Sequence, residues 1–159
     1  VWEWGERMKT IYIGADHAGF ALKEKIKKWL VQKKIAFEDL GNLKFEKSDD
    51  YPDYALKVGQ AVVRTKSQGI LVCGSSQGVC VSANKVKGVR AVAPTTMKET
   101  KLAREHLDAN VICLSGWNTS EGLARKMILQ FLNTSFSGDV RHVRRIGKIR
   151  RIERGLGEK

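Results

Sequence analysis

The sequence predicts an α/β fold in which helices cover both faces of a five-stranded parallel sheet. Short apolar or β-branched runs alternate five times with longer segments whose apolar residues recur at helical spacing. Strands that alternate with helices in this way specify a parallel sheet that is buried on both sides. The chain has 159 residues, which is long enough for one such domain with a substantial core. Such sheets bind ligands beyond the carboxyl ends of their strands, where the strand order reverses, so the strand ends predict the site.

The first strand, turn and helix are predicted from residues 10–30. Residues 10–15 are β-branched and aromatic, and Asp16-His17-Ala18-Gly19 forms a turn after them. The helix that follows has an apolar side, made of Leu22, Ile26, Trp29 and Leu30, and a charged side, made of Lys23, Lys25, Lys27 and Lys28. We therefore expect these four lysines on the face of the helix that points away from the core.

A second, shorter strand is predicted at residues 36–40, and residues 41–50 form a polar connection without a regular period. The next helix is introduced by Tyr51-Pro52-Asp53, and its apolar side consists of Tyr54, Ala55, Val58, Ala61 and Val62. Proline disfavours helical backbone angles in the residue before it. We therefore expect Tyr51 to lie outside the helix and to face a cleft or the core.

Three further strands are predicted at residues 69–72, 89–93 and 111–114. A helix-compatible segment, 79–86, follows the first of them, and the Thr96-x-x-Glu99 spacing of a capping box begins the next helix. The last core helix has apolar residues at helical spacing: Leu123, Ala124, Met127, Ile128, Phe131 and Leu132. We divide the chain into an extension at 1–7, an α/β domain at 8–135 and a basic C-terminal helix and tail at 136–159.

The C-terminal segment is the most basic part of the chain. The formal net charge is +12, and half of that excess lies between residues 141 and 159, where eight Lys or Arg face two Glu. A basic tail can bind a nucleic acid, or it can supply a few arginines to one small phosphorylated ligand. The segment lacks interleaved aromatic residues and a recognisable nucleic-acid module, so we expect no nucleic-acid partner. Its apolar stripe of Val143, Ile146, Ile149 and Ile152 predicts packing on a second subunit.

Cysteine usage and hydropathy indicate a cytoplasmic protein. Cys73, Cys80 and Cys113 are widely spaced and lie in apolar segments, which fits neither a disulfide framework nor a zinc site. Cys80 and Cys113 are expected in the core. The chain has no apolar run of about 20 residues, the length that spans a bilayer, so we expect no membrane association.

The stretch from Ile70 to Val86 contains the strongest candidate for a site. An apolar strand ends in Cys73 and the loop Gly74-Ser75-Ser76-Gln77-Gly78, and a helix-compatible segment follows. Backbone N–H groups converge at such a turn and can hold an anion. A thiol beside them is a candidate base or nucleophile, although a core cysteine before an ordinary turn is the alternative. The loop lacks the spacings of dinucleotide-binding and Walker-type motifs.

Asp16 and His17 follow the first strand, so we expect them to lie at the same edge of the sheet as Cys73. These three residues are therefore candidates for one shared site. Asp16 has the alternative role of a turn residue or N-cap.

The other two histidines and a pair of arginines lie in the second half of the chain. His106 closes a helix, where it either complements the helix dipole or acts in a site. We interpret His142 as a surface residue of the basic tail. Arg141 and Arg145 are four residues apart and share a helix face, which suits a phosphate, with solvated charge as the alternative.

Six stretches of the sequence together carry a family resemblance. They are IGADHAGFALKEKI at 13–26, DYPDYA at 50–55, GILVCGS at 69–75, SANKVKGVRA at 82–91, AREHLDANV at 103–111 and SGDVRHVRRI at 137–146. In this order they resemble the ribose-5-phosphate isomerase B family, which includes the galactose-6-phosphate isomerase subunits. The resemblance covers residue 8 to about residue 150.

The resemblance implies a Rossmann-like three-layer α/β/α fold and an aldose–ketose isomerase of phosphorylated sugars that needs no metal or organic cofactor. It also implies a homodimer or a dimer of dimers with active sites at the subunit interface. Cys73 would be the base that moves a proton between C2 and C1, and the backbone of Gly74 to Gly78, through Ser75, Ser76 and Gln77, would stabilise the enediolate. By the same resemblance His106 would open the sugar ring, Asp16 and Tyr51 would hold hydroxyls, and His17, Arg141 and Arg145 would hold the phosphate.

Three positions depart from the family pattern. Ser76 replaces a usual glycine, which adds strain of about 1 to 3 kcal/mol if the residue needs a positive φ. Leu107 replaces the asparagine that usually follows the ring-opening histidine, and Trp117 replaces a phosphate-binding arginine of many members.

Ribose 5-phosphate and ribulose 5-phosphate are the expected substrate pair. Leu107 and Trp117 keep a different phosphosugar, such as a six-carbon sugar 6-phosphate, as the alternative substrate. Ser76 keeps a catalytically silent sugar-phosphate-binding homologue as an alternative from another functional class.

Overall fold

A computed structural model describes residues 9–155. The five strands are β1 (Ile11–Ala15), β2 (Phe37–Asp39), β3 (Gly69–Cys73), β4 (Ala91–Val92) and β5 (Val111–Ser115). The six helices are α1 (Phe20–Gln32), α2 (Tyr51–Thr65), α3 (Gln77–Ala83), α4 (Met97–Leu107), α5 (Glu121–Asn133) and α6 (Val140–Glu153). The predicted extension at 1–7 lies outside the described residues.

All neighbouring strands pair in parallel, in the order β2-β1-β3-β5-β4. The predicted five-stranded parallel α/β fold is confirmed. The chain passes from β1 to β2 on one side and then returns to place β3 on the other side of β1, so the strand order reverses between β1 and β3. This reversal places the residues after Ala15 and those after Cys73 at one crevice, where α/β sheets bind ligands.

Two apolar layers cover the sheet, and the alternation of side chains along each strand assigns every strand residue to one of them. Ile13, Ile70 and Ile112 belong to the layer formed with α1 and α5. Leu71, Cys73 and Cys113 belong to the layer formed with α2 and α3. Cys73 therefore lies on the α2–α3 side of the sheet at the carboxyl end of β3.

The prediction for Lys23 is wrong. Its side chain is fully buried, although Lys25 and Lys28 are exposed as expected. Lys23 Nζ donates to both carboxylate oxygens of Asp39, at 3.0 and 2.8 Å, and to the carbonyl oxygen of Asn42. A carboxylate at the end of β2 provides the partner that lets a lysine on the polar side of α1 be buried.

Three element boundaries differ from the prediction. Tyr51 is the first residue of α2 rather than outside it, because Asp50 in extended conformation takes the N-cap position and Pro52 lies in the first turn. The preference of a pre-proline residue for extended angles is a bias that packing can outweigh. Helix α3 begins at Gln77 and ends at Ala83, earlier than expected, and β4 is only Ala91–Val92.

The predicted capping box of α4 forms in a modified version. Thr96 Oγ1 accepts from the Glu99 N–H at 3.1 Å, as expected. The Glu99 carboxylate, however, accepts from the N–H and hydroxyl of Thr95, at 2.7 and 3.1 Å. These bonds from Thr95 hold the pKa of Glu99 below its ordinary value.

The basic C-terminal segment forms the predicted helix, α6, which packs against α4. His142 and Ile146 are its buried residues, and Glu153 Oε1 accepts from the Gly88 N–H at 3.0 Å. Val140, Val143, Ile149 and Ile152 remain exposed. Among the helices of residues 9–155, none combines the length and apolar character needed to cross a bilayer.

Candidate active site

The ends of β1, β3 and β5 meet in close contact at the carboxyl edge of the sheet. The Asp16 N–H donates to the Val72 carbonyl at 3.3 Å, and the Gly116 N–H donates to the Cys73 carbonyl at 2.8 Å. A Cβ added at Gly19 would lie 2.3 Å from the Val72 oxygen, so only glycine allows this approach. The residues after the three strands therefore have fixed positions relative to one another.

Asp16 is buried in the turn that follows β1. Its Oδ1 accepts from the Gly19 N–H at 3.0 Å, which is the turn role considered for this residue. Burial raises the pKa of its carboxyl, with a smaller contribution from the Asp49 charge, and the Gly19 bond opposes the shift. A buried carboxyl next to the crevice is suited to a sugar hydroxyl, because it can accept or donate a hydrogen bond according to its protonation.

His17 is held by Asp49, a residue from the connection between β2 and α2. Asp49 Oδ1 accepts from the His17 N–H at 2.9 Å and lies 2.8 Å from Nδ1. The hydrogen bond to Asp49 raises the pKa of the His17 imidazole, and the Asp16 charge adds to the effect. Both carboxylates favour the cationic ring, which is the form that binds a phosphate.

The loop after Cys73 presents several N–H groups that lack a protein acceptor. Within residues 9–155, the N–H groups of Gly74, Ser75, Ser76 and Gly78 donate to no protein oxygen, whereas the Gln77 N–H approaches Ser75 Oγ at 3.4 Å. Ser76 has φ 71°, so the position does require the left-handed conformation that glycine adopts without cost. The loop thus has the donors expected of an anion-binding turn, with serine in a strained conformation.

Cys73 lies at the base of this loop and is only 3% exposed. Its neighbours in the α2–α3 layer include Leu71, Val79 and Cys113. Cys113 is fully buried, and burial raises the pKa of its thiol. The core assignment is confirmed for Cys113, whereas Cys80 is only half-buried, with Sγ 3.4 Å from the Ala91 carbonyl. Cys73 is the thiol of the three that adjoins the free loop N–H groups.

Two aromatic rings lie against the ends of the loop. A Cβ at Gly78 would come within 2.6 Å of the Tyr51 ring, and one at Gly74 would come within 2.5 Å of the Trp117 ring. Tyr51 is 40% exposed and Trp117 is 73% exposed, so each ring also faces solvent. The Tyr51 ring reaches the loop from the first turn of α2.

A second site candidate lies between α4, α6 and the end of β4. His106 and His142 stack there with ring centroids 4.2 Å apart and an interplanar angle of 16°. They line a cleft of about 560 Å³ together with Arg145, Glu99, Thr95 and apolar residues that include Leu102 and Leu107. We call this the α4–α6 cleft.

The interpretation of His142 as a surface residue is wrong. The side chain is buried on α4, and burial, followed by the charges of His106 and Arg141, lowers the pKa of its imidazole. The helical spacing could have indicated this position, since His142 precedes Ile146 by four residues on the inner face of α6. The many basic residues around His142 led to the surface interpretation instead.

The structure brings together Asp16, His17, Tyr51 and the loop from Cys73 to Gly78, which we call the carboxyl-edge site. His106 is not part of this site and lies in the α4–α6 cleft. Helix α4 starts after the carboxyl end of β4 and ends before β5 begins, so roughly 14 Å of helical rise separates its start from His106. Arg145 lines the α4–α6 cleft with His106, while Arg141 is exposed and bonds Asp139, with Nε 3.3 Å from Oδ2.

Asp16, His17 and Asp49 are the one grouping among residues 9–155 whose side chains could coordinate a cation, with ligand atoms within 4.8 Å of one another. His17 Nδ1 and Asp49 Oδ1 already bond each other, and Asp16 Oδ1 bonds Gly19. These contacts are those of a hydrogen-bonded network. Sequence reasoning missed Asp49 and its partner Asn42, because the connection that carries them has no periodic pattern.

The fold and the carboxyl-edge site define a parallel α/β protein with a thiol, at the strand reversal, next to loop N–H groups that donate to no protein oxygen among the described residues. The sequence profile of the family described as Ribose/Galactose Isomerase matches residues 11–149. The chain belongs to this family, and the resemblance seen in the sequence is confirmed.

Named relatives and solved structures agree with this assignment. The chain is 43% identical over 145 residues to the probable ribose-5-phosphate isomerase B of Mycoplasma pneumoniae, covering 91% of this chain and 95% of the relative. It is 36% identical over 147 residues to the Escherichia coli enzyme, ribose-5-phosphate isomerase B, covering 92% and 97%. The crystal structure of ribose-5-phosphate isomerase B from Mycoplasma genitalium with bound ribulose 5-phosphate superposes with a TM-score of 0.86 at 43% identity, covering 91% and 96%. The enzyme from Clostridium thermocellum gives a TM-score of 0.89 at 37% identity, covering 94% of this chain and all of the other.

Proposed function

We propose that this chain is an aldose–ketose isomerase that interconverts ribose 5-phosphate and ribulose 5-phosphate through an enediolate. The observation that carries the proposal is the position of Cys73 directly before four loop N–H groups that find no protein acceptor within residues 9–155, at the strand reversal where Asp16 also lies. Family membership supports the reaction class. The five-carbon sugar is supported by the M. genitalium structure, which contains ribulose 5-phosphate.

Cys73 takes the proton from C2 of the open-chain aldose and returns it to C1. The electrons that remain form an enediolate, whose negative charge lies on oxygen next to the reacting carbons. The N–H groups of Gly74, Ser75 and Ser76 stabilise that charge where it develops, and one such donor typically contributes about 3 to 4 kcal/mol. Asp16 and Tyr51 hold the sugar hydroxyls, and no metal or organic cofactor takes part.

Ring opening is assigned to His106, and phosphate binding to His17, Arg141 and Arg145. Because His106 and Arg145 line the α4–α6 cleft rather than the carboxyl-edge site, one chain alone does not assemble the full set. We propose that a second copy of the chain completes each site. The outward residues Val140 and Val143, which are 78% and 51% exposed, belong to the α6 face that such a homodimer would cover.

The substrate alternative rests on the two unusual side chains near these sites. Leu107 lies in the wall of the α4–α6 cleft, where it offers no hydrogen bond to a sugar. Trp117 covers Gly74 with an uncharged ring. Both leave room for a phosphosugar other than the pentose as a second candidate, and a homologue that binds without turnover stays the alternative that Ser76 motivates.

The cellular setting is proposed from chemistry alone. Cys73, Cys80 and Cys113 are all free thiols, as expected of an enzyme in the reducing cytoplasm. Its substrate pair belongs to pentose phosphate metabolism.

The purified protein should convert ribose 5-phosphate faster, in kcat/KM, than any of a panel of six-carbon sugar phosphates.

The variant Cys73→Ala tests the proposed base. It should lower kcat about a hundredfold to ten-thousandfold, because a positioned base contributes that much to proton transfer. Cys80→Ala, which removes a neighbouring thiol of the same layer, is the matched control and should keep kcat within a few-fold of the parent. Unchanged turnover in Cys73→Ala would show that another group is the base.

Mixing two inactive variants tests whether the site is shared between copies. Cys73→Ala and His106→Ala homodimers should both be inactive, and their refolded or co-expressed mixture should regain about a quarter of the parental activity, because half of the dimers then contain one intact site. A mixture that stays inactive, although mass spectrometry shows mixed dimers, would place Cys73 and His106 of the same chain in one site.

A further inference from the structure

Asp49 is the most buried carboxylate of an otherwise exposed connection. Residues 43–48 are all exposed, yet the Asp49 side chain is only 4% exposed. Burying a charge is costly unless the charged group is hydrogen-bonded. Both carboxylate oxygens of Asp49 accept hydrogen bonds.

Asp49 Oδ1 accepts two hydrogen bonds from one residue, His17. The backbone N–H of His17 donates at 2.9 Å, and its ring Nδ1 lies at 2.8 Å. A contact to both the backbone and the ring fixes the turn and the ring orientation together. Because Nδ1 is used, Nε2 is the ring nitrogen left for a ligand.

Asp49 Oδ2 is anchored to the sheet through a second residue. It accepts from Asn42 Nδ2 at 2.7 Å. Asn42 is buried, its N–H donates to the Ala15 carbonyl at 2.9 Å, and its carbonyl accepts from Lys23 Nζ. The carboxylate is therefore tied to the end of β1 and to α1, and it cannot turn away from His17 without breaking buried contacts.

The charged groups that face His17 are both acidic. They are Asp16 on the turn after β1 and Asp49 on the connection. Burial alone would raise the pKa of Asp49, but the bonds from His17 and Asn42, together with the nearby Tyr54 hydroxyl, outweigh it and keep the pKa below its ordinary value. Asp49 is thus an anion throughout the range in which an imidazole titrates.

We propose that Asp49 is a positioning residue that holds His17 with Nδ1 as the donor, so that Nε2 donates to the phosphate of the substrate. This inference rests on the proposed function, in which His17 binds that phosphate. It adds a residue outside the family resemblance to the machinery: a carboxylate that contacts no substrate atom and acts through the histidine.

The first test is a titration of His17 by NMR on ¹⁵N-histidine-labelled protein, with His17→Gln used to assign its signals. Asp49→Asn keeps the size and the Oδ1 acceptor and removes the charge. We expect the midpoint of the His17 titration to fall in Asp49→Asn, and to stay unchanged in Glu46→Gln, which removes a charge from the same connection. An unchanged midpoint in Asp49→Asn would overturn the proposal. Asp49→Ser serves the same purpose if the asparagine variant does not fold.

The second test uses kinetics at two pH values. At pH 8, Asp49→Asn should raise the KM for ribose 5-phosphate about tenfold, the equivalent of one charge-assisted hydrogen bond, with kcat changed less than about twofold. The deficit should shrink at pH 6, where His17 is protonated without help from Asp49. In the His17→Gln background, Asp49→Asn should add no further change in KM. A deficit that is equal at both pH values, or that persists in that background, would show a structural role only.

The two proposals fail in different ways. A parent protein without isomerase turnover would overturn the proposed function. The NMR titration needs no turnover, and it would still decide whether Asp49 controls His17.

Discussion

The carboxyl-edge site and the α4–α6 cleft differ in how their polar groups are held. At the carboxyl edge, the strand ends are held by backbone hydrogen bonds such as that from the Gly116 N–H to the Cys73 carbonyl. The buried hydrogen bonds of Lys23 to Asp39 and Asn42 add to this support. In the cleft, one buried ring, His142, supports His106 by stacking, and Arg145 extends from an exposed helix face. The Asp16 and His17 side chains of the first region are held by protein hydrogen bonds, whereas Arg145 in the second region is exposed.

This contrast matches the demands of the proposed reaction. Proton transfer between adjacent carbons needs donors and base within a fraction of an ångström of their required positions, which buried networks provide. The phosphate lies far from the transferred proton, so a flexible cationic side chain suffices there. Changes at the carboxyl edge should therefore affect stability, whereas changes in the cleft should affect binding.

The largest effect is expected from Asp39→Asn. Lys23 is fully buried and would lose its closest carboxylate, leaving Glu24 at 3.6 Å as the next acid, so the free energy of unfolding should fall by about 3 to 5 kcal/mol. Glu105→Gln, which breaks the exposed pair with Lys101, is the matched control and should cost less than about 0.5 kcal/mol. Urea unfolding of both variants measures the difference, and equal losses would remove the contrast between buried and exposed ion pairs.

The same ion pair predicts the direction of the acid response. Burial would raise the pKa of Asp39, but bonds from Lys23, Lys27 and the Gly41 N–H outweigh it and lower that pKa. A carboxyl whose pKa is lower in the folded state stabilises the fold above its unfolded pKa, which is about 3.9, and this stabilisation is lost as the pH falls further. Parent and Asp39→Asn should therefore converge in stability as the pH falls below the unfolded pKa and through the lower folded-state pKa, as followed by thermal unfolding at several pH values.

An intermediate effect is expected from Arg145→Ala in the cleft. Loss of a charge-assisted hydrogen bond to phosphate should raise the KM for ribose 5-phosphate about tenfold or more, with little change in the melting temperature because the side chain is exposed. Arg144→Ala, on the same helix but outside the cleft lining, should leave KM within about twofold. Similar KM values for the two variants would indicate general electrostatic attraction rather than a defined contact.

The smallest effect is expected from Ser76→Gly. Because Ser76 has φ 71°, glycine should relieve strain and raise the free energy of unfolding by about 1 kcal/mol, or a melting temperature gain of about 2 to 4 °C. Ser75→Gly, at a neighbouring position without a positive φ, should be neutral or destabilising by up to about 1 kcal/mol. Calorimetry that shows both variants with the same sign would mean that the loop conformation does not govern the difference.

Elements with a strong local pattern could be predicted from the sequence alone. The five strands and the core helices follow from periodicity, and Cys73, Asp16 and His17 follow from the rule that parallel strands present their carboxyl ends at one edge. The family followed from six ordered motifs. Even the strain at Ser76 could be anticipated, since the conformation that a loop glycine adopts is a local property.

Only the tertiary structure decided which partners a polar residue meets. The sequence pattern places Lys23 on the solvent side of its helix, but the folded chain buries it against Asp39. Asp49 lies in a connection without a periodic pattern, and its contact with His17 is visible only in the folded chain. His142 is buried only because α6 packs on α4. Periodicity reports which side of an element is apolar, but hydrogen bonds between distant segments depend on chain packing, which no local pattern encodes.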